Sequence, residues 1–401
     1  MLHFALAILF LVALALFFYS GLEHQHSIAV EGGIEVERHQ LFFVKGPIKL
    51  PVGTYVYLHF IMSSLPHLVI DPTTNESPLR NPGNTLPTSL PVANETRTHP
   101  TATNTKENAS IFFVGTATTI LEWEGIRLMT DPNFLHAGDH VHLGPGVSGI
   151  RKTNPALNLE DLPRTDVVLL SHYHGDHFDQ DVEAQLRRNL PIITTPHAKS
   201  HLAHKQDGEA FTDVYELDAW KSMMIDIKGV GDQDTKMVPA MKVTGMPGKH
   251  VDLKVVEVVN ELIPPTNGWM VELGHQASGD DDTFKCGYRI YISGDTLMVD
   301  ELKAIPEVYK GQQIDLMLIH LGGTTIPGPN MPLLMVTMDA AQGLQLVQLI
   351  QPDLTIPIHY DDYDVFLSPL SDFKKVVEEA GLSEKVVYLD RKDAYKFEVK
   401  N

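Results

Sequence analysis

The sequence predicts an α/β protein with four layers, in which two β-sheets pack face to face between outer helices. From Asn108 onward, apolar runs of strand length alternate with helical segments, and the pattern occurs in two similar halves. Hydrophobic residues make up 43% of the 401 residues and charged residues 20%, a balance typical of a globular protein with a full core. We therefore expect an αββα sandwich over residues 108–401.

The elements follow from short apolar runs between turn signals. In the first half, Glu124-Gly125 predicts a hairpin turn between two of the strands. The elements predicted there are strands at 111–114, 118–123, 126–129, 166–170 and 191–195 and a helix at 180–188. The second half predicts strands at 241–244, 269–273, 289–293, 315–319 and 354–358 and a helix at 338–350.

The chain before this domain has a different composition. Residues 1–20 contain the apolar run Leu2–Phe18, which is as long as a bilayer-spanning helix and fits either a signal-anchor or a cleaved signal peptide. Residues 21–70 form an extension that fits either a strand packed on the main domain or an element at the membrane surface. Residues 71–107, rich in Pro, Thr, Ser and Asn, predict an extended, poorly ordered linker.

Three Asn-x-Ser/Thr sequons lie in this polar stretch, at Asn75, Asn94 and Asn108. They favour the secretory pathway, with the main domain lumenal or extracellular. The protein would be a single-pass membrane protein, or secreted if the N-terminus is cleaved. The alternative is that an Asn- and Thr-rich segment produces sequons by chance.

Charge and cysteine content exclude two kinds of site. The formal net charge is −20 and no basic run occurs, which argues against a nucleic-acid partner. Cys286 is the single cysteine, so neither an intrachain disulfide nor a cysteine-based zinc site can form. A metal site in this chain must use histidine and carboxylate ligands.

The most informative motif is the His-x-His-x-Asp-His cluster formed by His172, His174, Asp176 and His177. It directly follows the apolar strand at 166–170. Imidazole and carboxylate groups bind zinc and related transition metals, and four of them within six positions can serve two adjacent ions. A surface cluster of histidines is the alternative.

A site for two metal ions needs about six or seven ligands, so the cluster is incomplete by itself. Three further candidates follow predicted strands: His250 after a tight turn, Asp295 next to a glycine, and His359. Loops beyond strand ends are where α/β proteins commonly place ligands and catalytic groups.

With these residues, the chain resembles the hydrolases of the metallo-β-lactamase fold over roughly residues 108–399. Within that superfamily it is most similar to the branch that contains N-acyl-phosphatidylethanolamine phospholipase D and the ascorbate-6-phosphate lactonases. The matching motifs are Gly115-Thr116-Ala117-Thr118, Thr130-Asp131-Pro132, Leu162-Pro163-Arg164-Thr165-Asp166, the segment 171–179, Pro247-Gly248-Lys249-His250, Gly294-Asp295-Thr296 and Pro357-Ile358-His359.

The resemblance implies two divalent metal ions per chain, zinc first, with iron or manganese as alternatives. It assigns His172, His174 and His250 to one ion, Asp176, His177 and His359 to the other, and Asp295 to both. A hydroxide that bridges the ions would attack an acyl or phosphoryl centre, with Asp176 handling its proton.

Two further residues have open roles. By resemblance, Asp131 supports a metal-binding histidine from behind, and the alternative is an ordinary turn residue before Pro132. His320 stands where the relatives tend to lack histidine, so a catalytic acid, a substrate contact and a packed core residue all remain possible roles.

The sequence thus predicts a metal-dependent hydrolase of a small-molecule or lipid substrate, with a membrane partner through the N-terminal segment. A phosphodiester, as in a phospholipase D, is favoured by the resemblance and by the apolar N-terminus. A lactonase or carboxylic-ester hydrolase is the alternative. A docking module that binds metal without catalysis is an alternative of another class. The sequence does not give the oligomeric state.

Overall fold

The computed structural model describes residues 48–49, 55–56, 65–83, 85–101, 106–143, 147–229, 237–251, 263–277, 280–328 and 331–400. The chain divides into two compact units, 1–63 and 64–401. In the first unit, the described residues form an antiparallel pair of strands, β1 (Ile48–Lys49) and β2 (Tyr55–Val56). The apolar run Leu2–Phe18 lies outside the described residues.

Over its described residues, the second unit contains strands β3 to β22 and five α-helices. Its first strands are β3 (His67–Ile70), β4 (Thr96–Arg97), β5 (Ala109–Gly115), β6 (Thr118–Trp123), β7 (Ile126–Thr130), β8 (His140–His142), β9 (Ser148–Ile150) and β10 (Val167–Leu169). Then follow α1 (Gln180–Gln185), β11 (Ile192–Thr194), α2 (Pro196–Leu202), β12 (Val214–Glu216), β13 (Ser222–Ile227), β14 (Met237–Met246), β15 (Gly268–Ala277) and β16 (Asp280–Ile292). The last part holds α3 (Ala304–Val308), β17 (Leu316–His320), β18 (Gly322–Gly328), β19 (Met331–Met335), α4 (Ala340–Ile350), β20 (Leu354–Ile358), β21 (Phe366–Ser368), α5 (Leu370–Glu379) and β22 (Ala394–Phe397).

These strands form two large mixed sheets. The first has the order β12-β11-β10-β7-β6-β5-β22-β4 and the second the order β20-β17-β16-β15-β14-β13-β3. The predicted hairpin turn joins β6 to β7, and both of its residues have positive φ, 47° at Glu124 and 77° at Gly125. Positive φ at both central residues matches the right-handed twist of the strands that the turn joins.

The two sheets pack against each other because alternate side chains of their strands are apolar on the shared face. In β10, Val167 and Leu169 point into a core that also holds Val271 and Leu318 of the second sheet. Every second residue on a strand points to the same face, so Val168 points to the opposite side.

Helices cover both outer faces. Val182 of α1 and Leu202 of α2 pack on the first sheet. Leu346 of α4 and Phe373 of α5 pack on the second, together with Ile305 of α3. The four-layer αββα arrangement predicted from the sequence is therefore confirmed.

The stretch 71–107, expected to be a poorly ordered linker, packs along the main unit over its described residues. Leu79 is buried, and the guanidinium of Arg164 donates hydrogen bonds to the carbonyls of Pro72 and Thr74. The preceding strand β3 pairs in parallel with β13, so the compact unit begins well before residue 108. The stretch is held by hydrogen bonds to its backbone carbonyls together with a few apolar side chains such as Leu79, which the low overall hydrophobicity did not reveal.

The helix predicted at 180–188 is shorter than expected. Asp179 caps its first turn by accepting the N–H groups of Asp181 and Val182, both at 2.8 Å. The helix ends at Gln185 because Leu186 is extended and forms a bridge with Leu79. The packed N-terminal stretch thus replaces the last predicted turn.

Within the part of the chain that the structure describes, none of the helices has the length and apolar character needed to cross a bilayer. The three sequon asparagines, Asn75, Asn94 and Asn108, are exposed. The side chain of Asn108 nevertheless donates to the carbonyl of Val399 at 3.1 Å and accepts its N–H at 2.8 Å.

The shared core between the sheets gives a test of the architecture. Leu169 is completely buried there, so Leu169→Ala leaves a cavity and should lower the free energy of unfolding by about 2–5 kcal/mol. Urea denaturation measures the change. Leu367→Ala removes the same atoms from a side chain that is 42% exposed and should cost far less; equal losses would contradict the assigned core.

Candidate metal centre

The proposed ligands all lie where strands end. The cluster from His172 to His177 follows β10, and His250 and Asp295 follow β14 and β16. His359 comes directly after β20. The two sheets therefore bring together residues that are nearly 190 positions apart in the chain, and the structure gathers all seven predicted ligands.

The loop after β10 has a tightly fixed conformation. The N–H of Ser171 donates to Asp131 Oδ1 at 2.7 Å, and the N–H of His177 donates to the carbonyl of His174 at 3.0 Å. A Cβ atom at Gly175 would lie 2.8 Å from the carbonyl oxygen of His142, so this position excludes a side chain. The loop therefore points several imidazoles in one direction.

His172, His174 and His250 form the first group of donors. His172 Nε2 lies 3.0 Å from His174 Nδ1, and the ring centroids of His172 and His250 are 4.5 Å apart. His172 Nδ1 lies 2.9 Å from Ser171 Oγ, which leaves Nε2 directed into the group. No carboxylate belongs to this trio.

Asp176, His177, Asp295 and His359 form the second group. The Nε2 atoms of His177 and His359 lie 3.2 Å apart. Asp295 Oδ2 lies 3.3 Å from His177 Nε2 and 3.6 Å from His359 Nε2. Asp176 Oδ2 is 3.4 Å from His359 Nε2. Two imidazole nitrogens that face each other this closely need a shared proton or a cation between them.

Backbone carbonyls fix the tautomers of two rings. His250 Nδ1 lies 2.9 Å from the carbonyl of Val336, and His359 Nδ1 lies 2.9 Å from the carbonyl of Leu321. A carbonyl oxygen only accepts, so each Nδ1 carries the proton and each Nε2 presents a lone pair. That is the form in which imidazole binds a metal.

His359 is held in a strained backbone conformation, with φ at 60°. Its N–H donates to the carbonyl of Thr116 at 2.7 Å, and Thr116 itself has a φ of 51°. The N–H of Thr116 donates in turn to the buried Asp362 carboxylate at 2.5 Å, and Arg151 and Arg391 lie against the same carboxylate. This buried ionic network holds the turn that carries His359.

The electrostatics of the trio favour cation binding. Burial, together with the neighbouring imidazoles, lowers the pKa of His172 well below its ordinary value and the pKa of His174 to about 3. Burial also lowers the pKa of His250. These rings are therefore neutral at pH 7 and can bind a cation without first losing protons.

The second group shows the opposite pattern. Burial lowers the pKa of His177, but Asp295, Asp176 and Asp131 outweigh burial and hold that pKa well above its usual range. Burial raises the pKa of Asp176, but His177 and His359 bring it down to about 2. The carboxylates are thus ionised and demand a positive charge, which protons on imidazole or a metal ion can supply.

Buried atoms without a protein partner support the metal interpretation. The atoms His174 Nε2, Asp176 Oδ1, His250 Nε2 and Asp295 Oδ1 have no hydrogen-bond partner. Buried polar atoms in native proteins are nearly always satisfied, so four such atoms in one cluster indicate a group that completes them. The donor set fits two transition-metal ions such as zinc.

Asp131 and His320 lie behind the second group. Asp131 Oδ2 is 3.4 Å from His177 Nδ1 and 3.6 Å from His320 Nε2, so one carboxylate faces both rings. The Asp131 position therefore matches the predicted support of a metal-binding histidine. His320 is completely buried and lies 3.3 Å from Ser293 Oγ through its Nδ1.

A small cavity opens above the donors. It is lined, among the described residues, by Leu143, His174, Asp176, His250, Ile263, Asp295, Thr324, Ile326 and Val336. His320 is not among them, and its Nε2 faces Asp131 instead; of its three possible roles, a substrate contact in this cavity is therefore the least favoured. None of the described lining residues is Lys or Arg. The cavity thus has polar donors at its base and mostly apolar side chains at its rim.

Sequence reasoning missed the supporting and rim residues. Thr337 donates its hydroxyl to Asp295 Oδ2 at 2.8 Å, and Ser293 Oγ accepts the N–H of His320 at 2.9 Å. Ser293 and Thr337 lie beside strand ends as common polar residues, so no motif identifies them. The carbonyls of Leu321 and Val336 have no sequence signal at all.

Comparison with known proteins identifies the family. A family model described as the beta-lactamase superfamily domain matches residues 139–360, more than half of the chain. The chain belongs to the metallo-β-lactamase superfamily. This confirms the superfamily predicted from the His172–His177 motif.

Two curated relatives match more than half of this chain and most of their own length. The chain is 26% identical over 233 residues to a metal-dependent hydrolase of Nanoarchaeum equitans, a match that covers 58% of this chain and 86% of the relative. It is also 26% identical over 258 residues to a metal-dependent hydrolase of Methanopyrus kandleri, covering 64% of this chain and 92% of the relative. The prediction of a metal-dependent hydrolase is confirmed at this level, while the phospholipase D and lactonase branch stays a prediction.

Solved structures show the same metallo-β-lactamase fold. An isothiocyanate hydrolase from Delia radicum gut bacteria is 16% identical with a TM-score of 0.55, and the match covers 72% of this chain and 99% of that one. A possible metal-dependent hydrolase from Veillonella parvula is 15% identical, also with a TM-score of 0.55, over 72% and 98% of the two chains. At these identities the likeness extends to the fold alone.

The two donor groups predict how many metal ions each chain binds. Metal analysis of the dialysed full chain should find about two ions, and His172→Ala should remove about one because it breaks the trio and spares the second group. His140→Ala, which changes an exposed histidine of β8, is the matched control and should keep both. Unchanged metal content in His172→Ala would contradict the assignment.

Asp131→Asn tests whether the Asp131 carboxylate orients the ring of His177. The amide has no charge to hold the His177 ring, so metal affinity should fall by about 10–100-fold in competition with a chelator. Asp361→Asn changes an exposed carboxylate near the same site and should leave the affinity unchanged. Wild-type affinity in the Asp131 variant would show that this carboxylate has only a local structural role.

Proposed function

We propose that this hydrolase uses two divalent ions, zinc first, to cleave a phosphodiester that carries an apolar group. The observation that carries the proposal is the convergence of seven donors, several with buried atoms that lack a protein partner. A trio of neutral imidazoles and a neighbouring group with carboxylates suit a pair of ions with different tasks.

The side chains have separable tasks. When bound, the ions supply a nucleophile from water near neutral pH and stabilise negative charge on the reacting centre. Asp176 lines the cavity, and its Oδ1 atom has no protein partner, so this oxygen is placed to accept a proton. Thr337 donates to Oδ2 of Asp295, the oxygen that faces His177 and His359, while Oδ1 has no protein partner and is open to a metal ion.

The rim supports a substrate with an apolar portion. Leu143, Ile263, Ile326 and Val336 surround the opening above the polar base. Such side chains gain free energy by removing an alkyl or acyl chain from water, about 25 cal/mol per Å² of apolar surface buried. A lipid phosphodiester would place its charged group on the donors and its chain along this rim.

A carboxylic ester or lactone is the second candidate, and one observation favours it. The described residues that line the cavity include no Lys or Arg, although phosphate-binding sites commonly use such side chains. A neutral ester needs no such partner. A docking module without catalysis is the third reading, and all seven filled ligand positions argue against it.

The proposed location follows from the N-terminus. We propose that the apolar run Leu2–Phe18 brings the domain to a membrane of the secretory pathway, as a signal-anchor or as a signal peptide that is then removed. Exposed Asn75 and Asn94 are the better glycan acceptors, because the amide of Asn108 is engaged with the backbone of Val399.

Hydrolysis assays separate these candidates. The metal-loaded full chain should cleave a lipid-like phosphodiester faster than a lactone or an aryl ester, and a chelator should abolish the activity. Asp176→Asn should lower kcat by about 10²–10⁴-fold because it removes the proton acceptor.

The assay has a matched control. Asp364→Asn changes a partly exposed carboxylate outside the donor groups and should retain the wild-type rate. Preference for the ester or lactone would move the assignment to the second candidate. If the metal-loaded protein turned over none of the three substrates, the proposed hydrolase activity would be contradicted.

A further inference from the structure

Two neighbouring histidines lie outside the buried centre, on α2. His197 and His201 are four residues apart on this helix, so they share one of its faces. Thr195 caps the helix by accepting the N–H of Ala198 at 3.1 Å. Pro196 at its first position fixes the local backbone. The two rings therefore project from a well-defined turn at the protein surface.

The two rings meet through their outer nitrogens. Nε2 of His197 and Nε2 of His201 are 3.2 Å apart, and the ring centroids are 4.6 Å apart. In the buried centre, the corresponding Nε2 atoms of His177 and His359 are also 3.2 Å apart. A tetrahedral ion with metal–nitrogen distances of about 2.0–2.1 Å brings two ligand nitrogens to about 3.3 Å from each other. The pair thus has the spacing that one ion requires.

Neighbouring side chains hold this geometry. The His201 ring stacks on Tyr173, with centroids 5.1 Å apart and an angle of 11° between the planes. The Tyr173 hydroxyl donates to the Glu183 carboxylate at 3.0 Å, which fixes the lower ring of the stack. A ring that is already ordered loses less conformational entropy when it binds a ligand.

The local charge permits a cation. Two lysines lie close to the pair on the same segment, but each has an acidic partner. Lys199 Nζ lies 3.4 Å from Glu216, and Lys205 contacts Glu183. Repulsion of a divalent ion by these ammonium groups is therefore reduced.

We propose that His197 and His201 form a second, solvent-exposed site for a divalent transition-metal ion. Imidazole ligands favour copper and zinc over magnesium and calcium, and water would fill the remaining positions. The site is separate from the buried donors but adjacent to them, because Tyr173 lies between His172 and His174 in the chain. Its occupation adds one weakly held ion to those of the centre.

Calorimetric titration of zinc into the dialysed, metal-loaded full chain tests this site. The wild-type chain should bind one further ion, and both His197→Ala and His201→Ala should weaken that binding by at least about tenfold. His204→Ala is the matched control, since it removes an exposed histidine whose Nδ1 faces the carbonyl of Ser200 at 3.0 Å. This control should bind the further ion as the wild type does.

A spectroscopic readout makes the result independent of hydrolase activity. With one equivalent of Cu²⁺ added to the same zinc-loaded protein, electron paramagnetic resonance should show coupling to two imidazole nitrogens, and the His197→Ala/His201→Ala double variant should lose it. The proposal would be overturned if the wild type bound no further ion, or if His204→Ala lost that ion as fully as the His197 and His201 variants do. Failure of the proposed phosphodiesterase activity would leave this result unaffected.

Discussion

The interaction on which the structure depends is the attraction between a buried group of carboxylates and a positive charge. Asp131, Asp176 and Asp295 are each almost fully buried around His177 and His359. Ionised carboxylates in a dry interior are costly unless cations or hydrogen bonds compensate them. Protons on the two imidazoles can compensate part of this charge, and bound metal ions would compensate it in place of those protons. The fold must therefore hold these groups against their mutual repulsion.

The surrounding structure provides that restraint through strained turns held by ionic contacts. Asp131 and His359 have φ angles of 35° and 60°, which non-glycine residues rarely adopt. Each conformation costs of order 1–3 kcal/mol and persists where neighbouring contacts determine it. Asp362, buried against Arg151, fixes Thr116 and through it the N–H of His359. The strain therefore lies at one proposed ligand, His359, and at Asp131 behind the donors, while the contacts that hold Thr116 and His359 lie farther out.

The sequence predicts the centre better than the contacts around it. The motif from His172 to His177 is local, and Asp295 and His359 follow strands whose apolar runs are easily recognised. All seven donors that the structure brings together could therefore be named from the sequence. The packing of residues 71–107 and the edge strand β3 could not. Their backbones are held by partners far away in the sequence, such as the Arg164 side chain and strand β13. The apolar rim was also missed. Ile326 in β18 and Val336 just after β19 line the cavity only because the folded chain brings these strands beside the donors.

The two donor groups differ in charge, so their affinities for a divalent ion should differ. The trio of His172, His174 and His250 is neutral, whereas the second group includes Asp176 and Asp295. Coulomb attraction to a divalent ion is therefore stronger at the second group, and buried pairs are screened little by salt. The charge of Asp295 also acts on the trio, because burial lowers the pKa of His250 and Asp295 opposes that shift. If two cations bind as proposed, this carboxylate would lower the repulsion between them, and the hydrogen bond from Thr337 helps to fix its orientation.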